Sequence, residues 1–513
     1  MSFARGAILE AVNEQGVVMN NAMTSSSLVK KNLMGVVAAL SLMFTSEVMA
    51  TSFQTQCPTS TKLHPGSANN PNPGIKCQEI AGGDGYATMG DGTQIYLFGF
   101  GPLSGRDLTD QGLPGTQTAA DFSKALYTVN GVLANPNAAA SDPQAIMNLG
   151  VLSAQQPAPL MAIDEDDEFF LTLSNVGMIM RPDLFEQHTV HFHGYPNASS
   201  FFDGVPDASV AINISGSFTY YYTAPDAGTY FWHCHITPPE HLQMGMVGQL
   251  YVRPRQNKVS ANTPLRTALI NANKAVATNM VGAAGSGLGC TDILCTGQTP
   301  APVVDTGAKG GKKYAYNDGD GSTAYDVEVP MQFMGFDPNF HYVGMTFNPE
   351  AFVDMKDKYF MISGRSYPDT VTDGQNPAAP GNDAAHPGNI TTLDSDGAVR
   401  TSQPIRSKVV LAQGQRALLR MSELNITEFH TIATVGIPMT VIANNARLLR
   451  DMAGNNLYYN TNSITLGGGE SADVIIDSAG VPKGTYFLYT TNLDHLSNDA
   501  ENFGGMMTEI VVD

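Results

Sequence analysis

Charge is scarce in this chain of 513 residues: Asp, Glu, Lys and Arg make up 14%, and only 27 residues are Lys or Arg against 47 Asp or Glu. The net charge of −20 argues against nucleic acid or an anionic membrane surface as a partner. It suits metal ions or a basic redox protein, although a soluble acidic surface accounts for it with no partner at all. Long apolar runs are lacking too. The stretch Leu33–Phe44 is too short to span a membrane. Tryptophan occurs once, as Trp232, where an aromatic is first of all core packing. With 51 Gly and 30 Pro, the composition speaks against helical bundles and for a loop-rich β protein.

Cysteine is limited to five residues. Cys57 with Cys77 and Cys290 with Cys295 form two close pairs, read as disulfides of an oxidising compartment. Cys234 is left over. Export is also indicated by Lys30 and Lys31 ahead of the apolar run, with Val48-Met49-Ala50 as a cleavage site before Thr51. Residues 1–50 are therefore set aside as a signal peptide. Met19 or Met23 is a candidate for the true start. The expected location is periplasmic or extracellular.

Histidine is what the sequence concentrates. Two segments, HTVHFHG (188–194) and FWHCHITPPEHLQMGM (231–246), hold six of the 11 histidines, around Cys234 and ending in Met246. Side chains alternate faces along a strand. If FWHCH is a strand, Cys234 faces one way and His233 and His235 the other. His191 and His193 share a face, and His188, three residues earlier, has the opposite one. Cys234 and His188 can thus meet inside a barrel, closed by His241 and Met246. His191, His193, His233 and His235 can meet outside it. A soft thiolate, two imidazoles and a thioether make a blue-copper donor set, and the outer set suits further copper ions. Structural zinc favours several cysteines at short spacing, which this region lacks. The other histidines, His64, His341, His386, His430 and His495, are solitary and read as ordinary loop or strand residues.

The segment 51–85 reads as irregular and pinned by the first disulfide. Residues 102–158 read as loops with short helices. Short strands with turn signals fill 86–255, 256–325 reads as a linker, and a second β pattern fills 326–513. GTYFWHCH in the first half corresponds to GTYFLYTT in the second, and a glycine–methionine turn follows in both.

These motifs resemble the multicopper oxidase superfamily, including its two-domain and nitrite-reductase relatives, over most of 86–513. H-x-x-H-x-H-G is similar to the family motif that gives one blue-site histidine and two cluster histidines. HCH is similar to the motif that couples the sites, and His241 and Met246 keep the His-x4-Met interval. DGVPDA and PDAGTYFWHCH are also similar to family segments. YFMISGRSYPDT and HTIATVGIPMTVIANN resemble a copper-free domain. The resemblance implies an all-β fold of two tandem cupredoxin-like Greek-key barrels or sandwiches with long loops. The first holds copper and the second has none. It implies a secreted copper oxidoreductase in which electrons from a metal ion or a phenol enter at a blue copper (His188, Cys234, His241, Met246). They pass through Cys234 to a type 2/type 3-like cluster on His191, His193, His233 and His235, the catalytic residues, where dioxygen is reduced.

Two departures stand out. Six residues separate Cys234 from His241, where typical oxidases have four. The family's cluster uses eight histidines, and this chain shows four. Two facing chains of a homo-oligomer, a partner protein, or a smaller copper complement would each resolve the count. The alternatives are a blue-copper electron-transfer protein with an incomplete cluster and a nitrite-reductase-like enzyme. His191 and His235 count against the second of these, because that group differs at both positions. The 24 methionines form no copper-sensing cluster.

Overall fold

In the computed structural model, the described residues are 53–70, 74–123, 127–129, 132–134, 143–195, 199–224, 226–258, 262, 314–344, 352–372, 391–393, 399–451 and 455–513. The expected leader at 1–50 and the Cys290–Cys295 pair lie outside them. Cys57 and Cys77 are joined in a disulfide with Cα atoms 5.9 Å apart. Among the described residues no helix is long and apolar enough to cross a membrane.

The first half folds as two facing sheets. One is built from β1 (Ile75–Thr88), β2 (Gln94–Pro102), β4 (Glu168–Gly177) and β6 (Ser217–Thr223), in the order β2-β1-β4-β6. The other uses β3 (Met161–Asp164), β5 (His191–Phe192), β7 (Gly228–His233) and β8 (Val247–Arg253), in the order β3-β8-β7-β5. Each sheet has one parallel pair, β1 with β4 and β3 with β8. Alternation drives the local choice: in SFTYYYT, Tyr220 and Tyr222 are buried in the core, while the Tyr221 hydroxyl donates to Glu168 at 2.7 Å.

The second half repeats the plan. Its first sheet contains β9 (Val327–Phe336), β10 (Tyr359–Ile362), β12 (Arg416–Glu423), β14 (Met439–Asn444) and β16 (Ser471–Asp477). Its second contains β11 (Val409–Leu411), β13 (His430–Val435), β15 (Ser463–Leu466), β17 (Gly484–Thr490) and β18 (Met507–Val512). Again each sheet has one parallel pair, β9 with β12 and β11 with β18. The fold is all-β, two tandem cupredoxin-like sandwiches. One core gathers Phe98, Phe100, Phe169, Phe231, Trp232 and Leu250. The other gathers Met331, Leu419, Ile432, Val474, Leu488 and Ile510.

Polar groups stitch the two halves together. Arg420 on β12 is fully buried. Its guanidinium donates to Glu328 at 2.6 Å and to Thr229 of β7 at 3.1 Å, and lies over the Tyr251 ring of β8.

Two boundaries differ from the sequence reading. Segment 51–85 is not irregular throughout, because β1 starts at Ile75. Its glycines and acids hide the strand from propensity. Gly82 is there for close approach: a Cβ on it would sit 2.6 Å from Cδ2 of His188. The expected linker 256–325 is ordered at both ends, where the Asn257 amide and the backbone of Tyr314 exchange hydrogen bonds of 3.0 and 3.1 Å. Three short helices, Arg106–Thr109, Ala119–Phe122 and Pro143–Gly150, lie in 102–158, in line with loops and short helices there.

Candidate metal centre

β7 carries both candidate sites at one end. The strand stops at His233, one residue before Cys234, so FWHCH is not strand to its end. The ladder nevertheless extends one bond further, since Cys234 N–H donates to the Met246 carbonyl at 3.0 Å. The two facing directions expected of FWHCH are therefore kept. Cys234 is wholly buried in the core, and His235 is partly exposed.

The inner group is His188, Cys234 and His241, with one donor atom from each lying within 4.8 Å of the others. His188 is tied down by an isolated bridge to Ile212. It is fully buried, and neither ring nitrogen has a hydrogen-bond partner. A buried polar atom left so costs about 1–3 kcal/mol, a cost that a bound ion removes. Burial, with some help from His241, pulls His188 well below the usual imidazole range, so it is neutral and able to ligate. His241 points Nδ1 at the Cys234 sulfur, 3.3 Å away. Burial pulls His241 down, but the Cys234 sulfur and the Glu186 carboxylate outweigh it and carry it up to about 9. Met246, also fully buried, follows at the end of the turn. The donor set fits a copper ion of the thiolate type.

The long Cys234–His241 interval has a local explanation. Its two prolines start a helix, α1 (Pro238–Gln243), in its first turn, where proline is tolerated. Thr237 enters it with φ of 38°. The extra residues are thus wound into a helical turn that buries His241.

The outer group joins His191, His193 and His233, again with donor atoms within 4.8 Å of one another. β5 and β7 pair His191 directly with His233. The Nδ1 atoms are committed to backbone. That of His191 lies 2.7 Å from the Asp203 carbonyl and that of His233 2.6 Å from the Cys234 carbonyl. His193 hydrogen-bonds the backbone of Gly469 in the second sandwich. Such bonds fix the tautomer and leave Nε2 for a metal. The Nε2 atoms of His193 and His233 already converge to 3.0 Å. Burial lowers His193 to about 4 and His233 to about 3. His235 stands beside them, its ring 5.2 Å from that of His191 and 5.6 Å from that of His233, but outside the tight triplet. This imidazole set fits copper ions as well.

Thr189 links the groups: its N–H points at the Cys234 sulfur from 3.4 Å, and its hydroxyl accepts from the His235 N–H at 2.9 Å. Sequence reasoning did not single out Thr189, Asp203, Gly469 or Glu186. Thr189 sits inside the histidine motif and could have been found there. Glu186 lies two residues ahead of that motif and Asp203 opens DGVPDA, whereas Gly469 comes from the second sandwich and carries no local signal. Glu186 places a carboxylate oxygen 3.6 Å from Nε2 of His241. It also lines a cleft of about 330 Å³ with Tyr96, Phe98, Leu184, Met244 and Phe336. Trp232 is fully buried against Phe100 and Phe192, as core packing.

Fold and site together set a buried cysteine with two histidines inside one cupredoxin-like sandwich and a group of histidines beside it. Residues 135–257 match the family model described as multicopper oxidase. The chain is 32% identical over 108 residues to multicopper oxidase MCE of Talaromyces pinophilus, a match that covers 21% of this chain and 16% of that protein. It is 31% identical over 111 residues to laccase abr2 of Aspergillus fumigatus, covering 21% and 17%. An iron transport multicopper oxidase, FET3 of Gibberella zeae, is 34% identical over 112 residues, covering 21% and 16%. The match thus spans about a sixth of the length of these curated relatives. Among solved structures, the blue copper oxidase from Nitrosomonas europaea aligns over 85% of both chains with a TM-score of 0.48 and 17% identity.

Proposed function

We propose that the protein is an exported copper oxidoreductase of multicopper-oxidase type, which takes electrons from a small reductant and delivers them to dioxygen. One observation carries this reading: the two donor groups are joined through consecutive residues. Cys234 belongs to the inner group, and its chain neighbours His233 and His235 turn to the outer side. Copper, when bound, supplies one-electron redox chemistry at the thiolate and dioxygen chemistry at the imidazoles. We assign His188, Cys234, His241 and Met246 to the first, and His191, His193, His233 and His235 to the second.

The cleft beside Glu186 gives the reductant an entry. Its apolar walls suit a phenol ring. The Glu186 carboxylate suits a phenol hydroxyl or a cation such as Fe(II) or Mn(II), within reach of the outer nitrogen of His241. The cluster is half the family's size, and among the described residues no further histidine joins it. We place the remaining donors on a second copy of the chain facing the first.

A second reading, a blue-copper electron carrier with an incomplete cluster, is favoured by that same count of four. Oxygen uptake by the copper-loaded chain, with a phenol and with Fe(II), separates the two. Uptake that stops in the His233→Ala variant supports the oxidase. A blue protein that consumes no oxygen with any reductant is the carrier.

A further inference from the structure

The second sandwich keeps the turn that carries His241 and Met246 in the first. In the first, Cys234 N–H donates to the Met246 carbonyl at 3.0 Å and Met246 N–H to the His241 carbonyl at 2.9 Å. In the second, Thr490 donates to Met506 at 3.0 Å and Met506 to His495 at 3.1 Å. The preceding strand matches as well. HTIATVG (430–436) sets His430 where HTVHFHG has His188, with Ala433 and Val435 in place of His191 and His193. The thiolate and the outer imidazoles are gone, while the inner histidine pair and the methionine remain. The ring centroids are 5.4 Å apart for His188 and His241, and 5.3 Å apart for His430 and His495.

This pair has acquired a carboxylate. Oε1 of Glu428 lies 3.1 Å from Nε2 of His495, and one donor atom from each of Glu428, His430 and His495 lies within 4.8 Å of the others. His430 is oriented as metal-bound imidazoles usually are: its Nδ1 faces the buried Glu423 carboxylate at 2.9 Å, which leaves Nε2 as a lone pair. His495 is 4% exposed, and its Nδ1 has no partner. Its ring is held flat against Phe360, with centroids 3.8 Å apart. Two side-chain amides, Asn425 at 3.2 Å from His430 and Asn492 at 2.8 Å from His495, are the hydrogen-bond donors facing these lone pairs.

We propose that His430, His495 and Glu428 form a second, thiolate-free metal site that takes a divalent ion of zinc type. Two imidazoles and one carboxylate are a donor set for zinc and its neighbours. With Thr490 in the cysteine position, the site yields no blue absorption whichever ion fills it. Such an ion clamps the loop that precedes β18 onto the start of β13, a structural role separate from electron flow in the first sandwich.

The test is zinc per chain after the metal-free full-length protein is dialysed against zinc, compared among wild type, His495→Gln and Glu428→Gln. The expected result is one zinc fewer in His495→Gln and weaker retention in Glu428→Gln, while both variants develop the same blue band as wild type when loaded with copper. Equal zinc in all three overturns the proposal and leaves the two imidazoles held by the amides and carboxylates alone. Glu428 is partly exposed and its exchange for Gln spares the fold. Should His495→Gln fail to fold, unchanged zinc affinity in Glu428→Gln overturns the proposal by itself.

Discussion

Nδ1 of His241 lies 3.3 Å from the sulfur of Cys234, and both residues are wholly buried. The contact joins a turn of α1 to the end of β7, so the inner donor group forms as the sandwich closes. Cys234→Ser keeps the volume and removes the thiolate. The expected outcome, read by visible absorption and metal analysis, is loss of the blue band and of one copper per chain, with the fold intact by circular dichroism.

The outer group should be separable from the inner one. His191→Ala and His233→Ala each remove an imidazole whose Nδ1 is anchored on a carbonyl. Oxygen uptake should fall below detection in both, with the blue band retained. Wild-type turnover in either variant would exclude the histidine cluster as the oxygen site.

Glu186 is expected to hold the reductant. Glu186→Gln removes the charge 3.6 Å from His241 Nε2. Loss of one charge-assisted hydrogen bond is worth about 1.5 kcal/mol, roughly tenfold in affinity. KM for phenols or Fe(II) should rise by about that factor with kcat little changed. Steady-state kinetics reads the split.

Buried Glu79 makes stability depend on pH. Burial raises its carboxyl to about 7, against hydrogen bonds including one from Ser174. A raised folded-state pKa means the group contributes fully below its unfolded value of 4.5, and that contribution is lost as pH rises through about 7. Glu79→Gln should therefore flatten the decline in unfolding free energy between about pH 4.5 and 7, by up to about 3 kcal/mol by the upper end. An unchanged slope would assign the decline to other groups.

Much of the centre was legible in the sequence because its ligands sit on strands, where parity decides the face. His191 in β5 and His193 just past its end on one side, and Cys234 against His233, follow from alternation alone. The disulfide of Cys57 with Cys77 followed from their closeness in sequence. What stayed hidden depends on contacts across the fold. β1 was missed at Ile75 because glycines that make room for His188 look like loop. α1 was missed because the Cys234–His241 interval counted only as a longer spacing, whereas its two prolines start a helix. Gly469 reaches the site from a segment with no motif, and Glu186, two residues ahead of His188, fits none of the motif's donor positions. His430 and His495 looked solitary because 65 positions of sequence separate residues whose rings are 5.3 Å apart.

The most direct measurement of the central claim is copper per chain in the purified, copper-loaded protein, with electron paramagnetic resonance to sort the types. The two-site account predicts more than one copper per chain: one blue signal that vanishes in Cys234→Ser, and further non-blue copper that is lost in His191→Ala. With a cluster shared between facing chains, the total is about two and a half, taking one blue copper per chain and half of a three-copper cluster. A single blue copper per chain and nothing else would contradict it.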